Sequence, residues 1–310
     1  MTTATQRAHS AAPAGVEFLE LEITSKCQLT CPSHCYAQAG PTKGHGTLTD
    51  EQWRAVIYEA ASNGVKHVQF IGGEPTRRPG WDDLVRYALD CGLKVQVYSN
   101  LFHIKAEWWP LLEHPRVTLA TSYYSDQAED HDRVTDRKGS HARTRANIAE
   151  AVRRGIPLKA GIVEILDGQR VEQARADLES LGVTEVQLDR VRGVGNAASR
   201  KILPSVSELC GNCARGRAAI MPDGTVTPCV LGRFLPAGSV ADQPLADILN
   251  GQKWAEIAAT IPPRLNGCAP DSCTPKEDSC MPSPGAVGEC TPADSNDCDP
   301  SRTPACDPAY

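Results

Sequence analysis

No run of apolar residues in this sequence approaches the length of a membrane-spanning helix, so no membrane partner is expected. The first fifteen residues, MTTATQRAHSAAPAG, lack the apolar centre of a secretory signal, and a cytoplasmic location is the expectation. Long basic blocks are missing too. The net charge is −6, from 32 Lys and Arg against 38 Asp and Glu, which argues against a nucleic-acid partner. The densest basic stretch, Arg133 to Lys159, reads as the solvated face of a helix, with the docking of an acidic peptide as the lesser alternative. Cysteine, by contrast, is plentiful. In a reducing compartment the 13 cysteines read as metal ligands rather than as a disulfide framework.

A length of 310 residues with 41% hydrophobic content suffices for one barrel-sized domain and a smaller one. Strand-like runs at 16–24, 65–71, 93–98, 117–122, 157–165 and 184–189 alternate with helix-like runs at 49–62, 81–91, 105–113, 140–154 and 169–181. Such alternation implies an α/β fold: a parallel sheet with helices outside and an active site on the strand-end loops.

Two of those loops carry chemistry. Cys27, Cys31 and Cys35 follow the first strand. Three thiolates on one short loop can hold three irons of a 4Fe-4S cluster and leave the fourth open for a reacting molecule. A zinc knuckle or a redox thiol set is the plainer alternative, but zinc sites want a fourth ligand at matched spacing. Gly72-Gly73-Glu74-Pro75 follows the second strand. Its glycines would let the backbone approach a ligand and offer free N–H groups, and Glu74 would supply a carboxylate for a cationic amine.

Together these motifs resemble the radical S-adenosylmethionine (SAM) superfamily. The resemblance covers residues 16 to 195 and implies a partial (β/α)6 TIM-type barrel. It also implies a 4Fe-4S cluster on Cys27, Cys31 and Cys35 whose free iron chelates SAM, and a SAM amino group at Gly72, Gly73 and Glu74. The family spacing is Cys-x3-Cys-x2-Cys with an aromatic before the third cysteine. Here one residue is added, His34 takes the aromatic place and Tyr36 comes a step later. Further cofactor contacts are expected from Ser99, Asn100, Ser122 and the Gly193-Val194-Gly195 segment at strand ends, with Arg133 and Arg143 competing for an arginine role. Glu164, Asp189, Arg190 and Arg192 are the barrel-mouth groups to test as catalytic candidates, while Cys91, before Gly92, reads as a small apolar residue at a helix end.

The C-terminal part resembles the SPASM or twitch extension of this superfamily. Its opening, Cys210-x2-Cys213 and then Gly224-x4-Cys229 with a hairpin-like turn, matches well. The usual later run is replaced by Cys268-x4-Cys273-x6-Cys280 with Cys290 after it, and each of these cysteines, like Cys298 and Cys306, is followed two residues on by proline. The resemblance implies one or two auxiliary 4Fe-4S clusters. Cys210, Cys213 and Cys229 would share one with a later cysteine, and most of Cys268, Cys273, Cys280 and Cys290 would hold another. The expected domains are a disordered tail at 1–15, the barrel at 16–200, a small Cys-rich iron-sulfur domain at 201–290 and a flexible Pro- and Cys-containing tail at 291–310.

By resemblance, this is an oxidoreductase that reductively cleaves SAM to a 5'-deoxyadenosyl radical, fed by a flavodoxin or ferredoxin. The leading substrate is a ribosomally synthesised peptide, which would be crosslinked or oxidised at a side chain. The alternative is dehydrogenation or epimerisation of a small molecule such as a sugar or aminoglycoside. Sulfatase activation is disfavoured, because Val230 stands where that branch has an aspartate base. The fifteen residues before the first strand are too few for a winged-helix module, so a leader peptide would be bound on another surface or by a separate protein, or the substrate is not a peptide.

Overall fold

The computed structural model describes residues 15–198 and 203–262. Residues 1–14 of the expected N-terminal tail, the tail at 291–310, and Cys268, Cys273, Cys280, Cys290, Cys298 and Cys306 lie outside the described residues.

Six parallel strands form the barrel portion: β1 (Phe18–Glu22), β2 (His67–Ile71), β3 (Lys94–Tyr98), β4 (Val117–Tyr123), β5 (Leu158–Glu164) and β6 (Glu185–Arg190). Between them run α1 (Asp50–Ser62), α2 (Trp81–Asp90), α3 (Trp109–Leu112), α4 (Ala128–Thr135), α5 (Ser140–Arg153) and α6 (Val171–Ser180). The parallel α/β fold expected from the alternation is present, as is the partial barrel that the resemblance implies. Helix α1 shows why the elements form where they do. Thr49 and Gln52 close a reciprocal capping box at its start, and Asp50 and Glu51 sit at the positive end of its dipole. One face, Trp53, Val56, Ile57 and Ala60, then enters the core. Helix α2 ends at Cys91, and Gly92 takes φ +88° there.

The helix at 105–113 is shorter than its sequence suggests. A 3-10 turn covers Ala106–Trp108, and α3 begins at Trp109 because Pro110 lacks an N–H and fits only a first turn. Helix α4 had no counterpart in the sequence reading. The basic stretch from Arg133 onward is not one helix but the end of α4, then α5, then β5. Much of its charge is paired: Arg145 with Asp177, Arg153 and Arg154 with Glu150, Lys159 with Glu185.

The second segment does not stand apart from the barrel. Strand β7 (Arg217–Ile220) pairs in parallel with β1, and β8 (Thr225–Thr227) and β9 (Gly238–Ser239) continue antiparallel. One sheet of nine strands results, in the order β6-β5-β4-β3-β2-β1-β7-β8-β9. Helices α7 (Leu245–Leu249) and α8 (Gln252–Thr260) follow. Among the described residues no helix is long and apolar enough to cross a membrane.

Alternation along β1 divides two environments. Leu19 and Leu21 join the main apolar core with Trp53 and Ile57, while Glu20 and Glu22, both without exposed surface, lie on the opposite face. Each meets an arginine of the second segment. Glu20 Oε1 is 3.8 Å from Arg217, and Glu22 is 3.3 Å from Arg233.

Candidate active site

The loop leaving β1 carries the first three cysteines to the mouth formed by the strand ends. The N–H groups of His34 and Cys35 both donate to the Cys31 carbonyl, at 3.3 and 3.2 Å. This tight turn holds Cys31 at φ +41°, a conformation that a non-glycine residue keeps only when its surroundings impose it. The segment after β6 supplies part of that constraint. The Asn196 backbone N–H donates to the Cys35 carbonyl at 2.9 Å, and its side-chain amide donates to the Cys31 carbonyl at 3.2 Å. Gly195, at φ +62°, lies so close beneath that a Cβ would come within 2.3 Å of the Tyr36 carbonyl oxygen.

Cys27, Cys31 and Cys35 line one cavity of about 1130 Å³, counted to its open mouth. Their sulfurs attract donors: Leu29 N–H to Cys27 and Ala39 N–H to Cys35, each at 3.4 Å, with Asn100 Nδ2 3.6 Å from Cys27. Burial, with the Glu74 charge behind it, pushes the Cys27 thiol up to about 12, and burial also raises Cys31 and Cys35. Such thiols stay neutral by themselves and ionise only beside a cation. Buried sulfurs that accept N–H donors and need a cation to ionise fit an iron-sulfur cluster.

Gly72 and Gly73 line the same cavity. Their smallness is used first against the protein itself. A Cβ on Gly72 would lie 2.4 Å from the Thr24 oxygen, and one on Gly73 2.6 Å from the Lys26 oxygen. Of the two glycine N–H groups expected to be free, that of Gly73 donates to Thr24 O at 2.7 Å, and the Glu74 N–H donates to Lys26 O at 2.9 Å. Glu74 is the carboxylate that the sequence offers for an amine. It is 1% exposed. One carboxylate oxygen accepts from the Thr76 N–H, the Thr76 hydroxyl and the Ser99 hydroxyl, and the other from the Asn100 N–H at 2.8 Å. The carboxylate therefore ties the turn after β2 to the end of β3 and does not itself line the cavity.

Asn100 and Ser122 do line the cavity, and Ser122 Oγ lies 2.8 Å from the Tyr98 hydroxyl. The two competing arginines separate. Arg143 stacks over Phe102, 4.8 Å from the ring centroid, beside the apolar cluster that contains Cys27; Arg133 is exposed and pairs with Asp130. Neither lines the cavity. Val194 is buried behind the wall rather than on it. Glu164 is exposed and outside the cavity, because its neighbour Val163 takes the inward position on β5. Asp189, Arg190 and Arg192 are on the wall. Arg192, however, spends its donors on Asp189 and on the Glu208 carbonyl, so it braces the strand end.

Among the wall residues that escaped the sequence reading are Tyr98, Tyr124, His131 and Thr144. Tyr124, directly after β4, bonds His34 Nε2 at 3.0 Å and so links the extra residue of the cysteine loop to the barrel. His131 Nδ1 is 3.1 Å from Ser140 Oγ, and burial, with the nearby His141 adding, lowers its pKa to about 3. Thr144 donates to the Asn100 carbonyl at 2.9 Å. The signal available for Tyr98 and Tyr124 was their place at strand ends; His131 and Thr144 come from helices α4 and α5, one of which the sequence did not reveal.

In the second segment Cys213 Sγ lies 3.8 Å from Cys210 Sγ and 3.0 Å from Cys229 Sγ. The β7–β8 hairpin returns Cys229 to the other two, with Gly224 at φ +90° in the turn. The Val230 N–H, next to Cys229, donates to Glu20 Oε2 at 2.8 Å. Leu231 then reaches the cavity wall.

A parallel partial barrel with a three-cysteine mouth and a second cysteine cluster zipped to its first strand defines a class of iron-sulfur enzyme. A sequence model of the Radical SAM superfamily matches residues 21–178, and a model of the SPASM iron-sulfur cluster-binding domain matches residues 210–274. The chain belongs to the radical SAM superfamily and carries a SPASM domain. It is 26% identical over 278 residues to the PqqA peptide cyclase of Rhodopseudomonas palustris, covering 76% of this chain and 72% of that protein. It is likewise 26% identical over 262 residues to the sporulation killing factor maturation protein SkfB of Bacillus subtilis, covering 74% and 63%. Among solved structures it resembles Streptococcus suis SuiB bound to precursor peptide SuiA, with TM-score 0.68, 14% identity and coverage of 80% of this chain and 68% of that one. It also resembles anSMEcpe with bound AdoMet, with TM-score 0.61, 14% identity and coverage of 78% and 82%.

Proposed function

We propose that this chain uses SAM to modify a ribosomally synthesised peptide oxidatively, by a crosslink or a side-chain oxidation. The observation that carries this reading is the cavity shared by the three cysteines and the Gly72-Gly73 turn, whose wall is largely apolar and several of whose polar groups are already engaged. Arg192 is committed to Asp189 and Glu208, Tyr124 to His34, and Tyr98 to Ser122. Leu29, Ile71, Val163, Val191 and Leu231 supply an apolar wall. A sugar or aminoglycoside would bury many hydroxyls or amines against this apolar wall, whereas a peptide side chain asks for less. The relatives named for peptide cyclisation and peptide maturation support the same choice.

Cys27, Cys31 and Cys35 would hold the cluster, and Gly72, Gly73, Asn100 and Ser122 would face SAM. The bound pair supplies one-electron cleavage of a carbon-sulfur bond and, from it, a 5'-deoxyadenosyl radical able to abstract hydrogen. The protein's own residues position and enclose. Asn196 and Gly195 hold the cysteine turn, Glu74 fixes the strand ends, and the apolar wall keeps water from the reacting carbon. Cys210, Cys213 and Cys229 would ligate one auxiliary cluster, with the later cysteines completing it or holding another. We further infer a cytoplasmic enzyme supplied with electrons by a flavodoxin or ferredoxin. The test is anaerobic reconstitution with SAM, dithionite and candidate short peptides, taken from any short reading frame found beside the gene. A change in peptide mass together with 5'-deoxyadenosine release is expected; nucleoside release with a sugar, and none with any peptide, would overturn the peptide reading.

A further inference from the structure

Arg137, in the link between α4 and α5, and Arg143, on α5, are both exposed, and both lie over one ring. The guanidinium carbon of Arg137 stands 5.5 Å from the Phe102 centroid and that of Arg143 4.8 Å. Among the described residues neither forms an ion pair, whereas Arg133, Arg145 and Arg153 nearby each hold a carboxylate. Asp136, next to Arg137 in the chain, is turned to the Thr30 hydroxyl at 2.8 Å.

Phe102 leads from these arginines to the first cysteine. It is 8% exposed, belongs to the apolar cluster that contains Cys27, and stays off the cavity wall; Cys31 and Cys35 pack against the same cluster. Its N–H donates to Asn100 Oδ1 at 3.0 Å, and Asn100 Nδ2 lies 3.6 Å from Cys27 Sγ. The backbone that presents the ring is fixed. Leu101 holds φ +51°, with its N–H donating to Ser99 Oγ at 3.1 Å and its carbonyl accepting from Asn147 of α5 at 2.7 Å. A non-glycine residue keeps that conformation only under such constraint.

We propose that Arg137 and Arg143, with Phe102 beneath them, form the docking face for the protein that delivers electrons to the first cluster, an acidic carrier of the flavodoxin or ferredoxin type. This deepens the function proposed above and rests on its reading that Cys27, Cys31 and Cys35 hold a cluster reduced from outside. Electron transfer weakens steeply with distance, so a donor has to settle where few groups separate it from a ligand sulfur. Phe102 and Asn100 provide that short route. Two exposed guanidinium groups that the chain's own described acids leave unengaged suit carboxylates around a donor's redox group and steer its approach. Because the ring is off the cavity wall, a donor seated here does not compete for the cavity.

The experiment compares reductants on the reconstituted full chain, with 5'-deoxyadenosine release from SAM as the readout: photoreduced flavodoxin or ferredoxin, which must dock, and dithionite, which need not. At low ionic strength Arg137→Gln should slow the protein-driven rate about threefold and Arg137→Glu about tenfold, while the dithionite-driven rate stays within about twofold of wild type. Added salt should slow the protein-driven rate of the wild type and narrow its lead over Arg137→Glu. Equal protein-driven rates in wild type and variants, an equal loss with dithionite, or a wild type that dithionite activates and neither carrier does would overturn the proposal. So would a variant altered only in its KM for peptide, which would mark the face as a seat for an acidic peptide. No nucleoside from the wild type even with dithionite would instead overturn the cluster reading beneath it.

Discussion

Gly195 and His131 show how single residues serve the site without touching the chemistry. At Gly195 the backbone is left-handed and a methyl group would press on the Tyr36 carbonyl. Gly195→Ala should therefore cost more than the ~1 kcal/mol of conformational strain alone, and loosen the cysteine turn. Lower thermal stability and lower iron content after reconstitution would be the readouts. His131 is held neutral, with a folded pKa of about 3 against an ordinary 6.5. Between those values the unfolded chain binds the proton that the folded one refuses, so stability is lost as the pH falls below 6.5. By pH 5 the loss from this residue should reach about 2 kcal/mol. His131→Gln should flatten the fall in denaturation midpoint between pH 7 and pH 5; an unchanged slope would mean that another group carries it. Glu74 makes a third residue-scale case. If its work is to join two strand ends, Glu74→Ala strands several buried donors, costs about 3 kcal/mol or more and lowers the melting temperature. A variant of unchanged stability that only weakens SAM binding would instead support the amine-binding role.

At the scale of elements, the order of strands and helices was legible because apolar periodicity and Gly-rich turns mark a βα repeat plainly. The cysteine loop and the Gly-Gly-Glu-Pro turn were legible for a related reason, since they sit at strand ends that the pattern places. What was not legible depends on long-range packing. Helix α4 is short and strongly polar, so no apolar stripe announced it, and His131 went unseen with it. Glu74 and Val194 look like ligands in a linear motif, yet which way a turn faces is decided by partners such as Ser99 and Asn100, 25 residues or more away in the chain. The Asn196 clamp on the cysteine loop joins residues separated by 165 positions, beyond any local pattern. Asn196→Ala should leave the fold intact but speed cluster loss in air, a change that absorbance near the iron-sulfur band can follow.

For the whole molecule, the cysteines expected to act together in the opening of the second segment do meet in space, and they meet against the barrel rather than in a detached module. Removal of the first cluster should be separable from loss of fold. Cys31→Ala should abolish 5'-deoxyadenosine formation while keeping a melting transition close to that of the metal-free parent, as checked by nucleoside assay and circular dichroism. Breaking the Glu22–Arg233 pair should act in the opposite sense. Arg233→Met leaves a buried carboxylate without its partner and should destabilise by about 3–5 kcal/mol.

Because β7 lies beside β1 as its parallel neighbour, the strand that launches the three-cysteine loop has no free flank among the described residues: β2 holds one side and the second segment the other. Cutting the chain ahead of residue 203 would thus uncover a bare hydrogen-bonding edge with two buried acids beside it. Heating or denaturant should melt both cysteine centres in a single cooperative step, so damage to the rear cluster's scaffold would be felt at the radical-forming mouth.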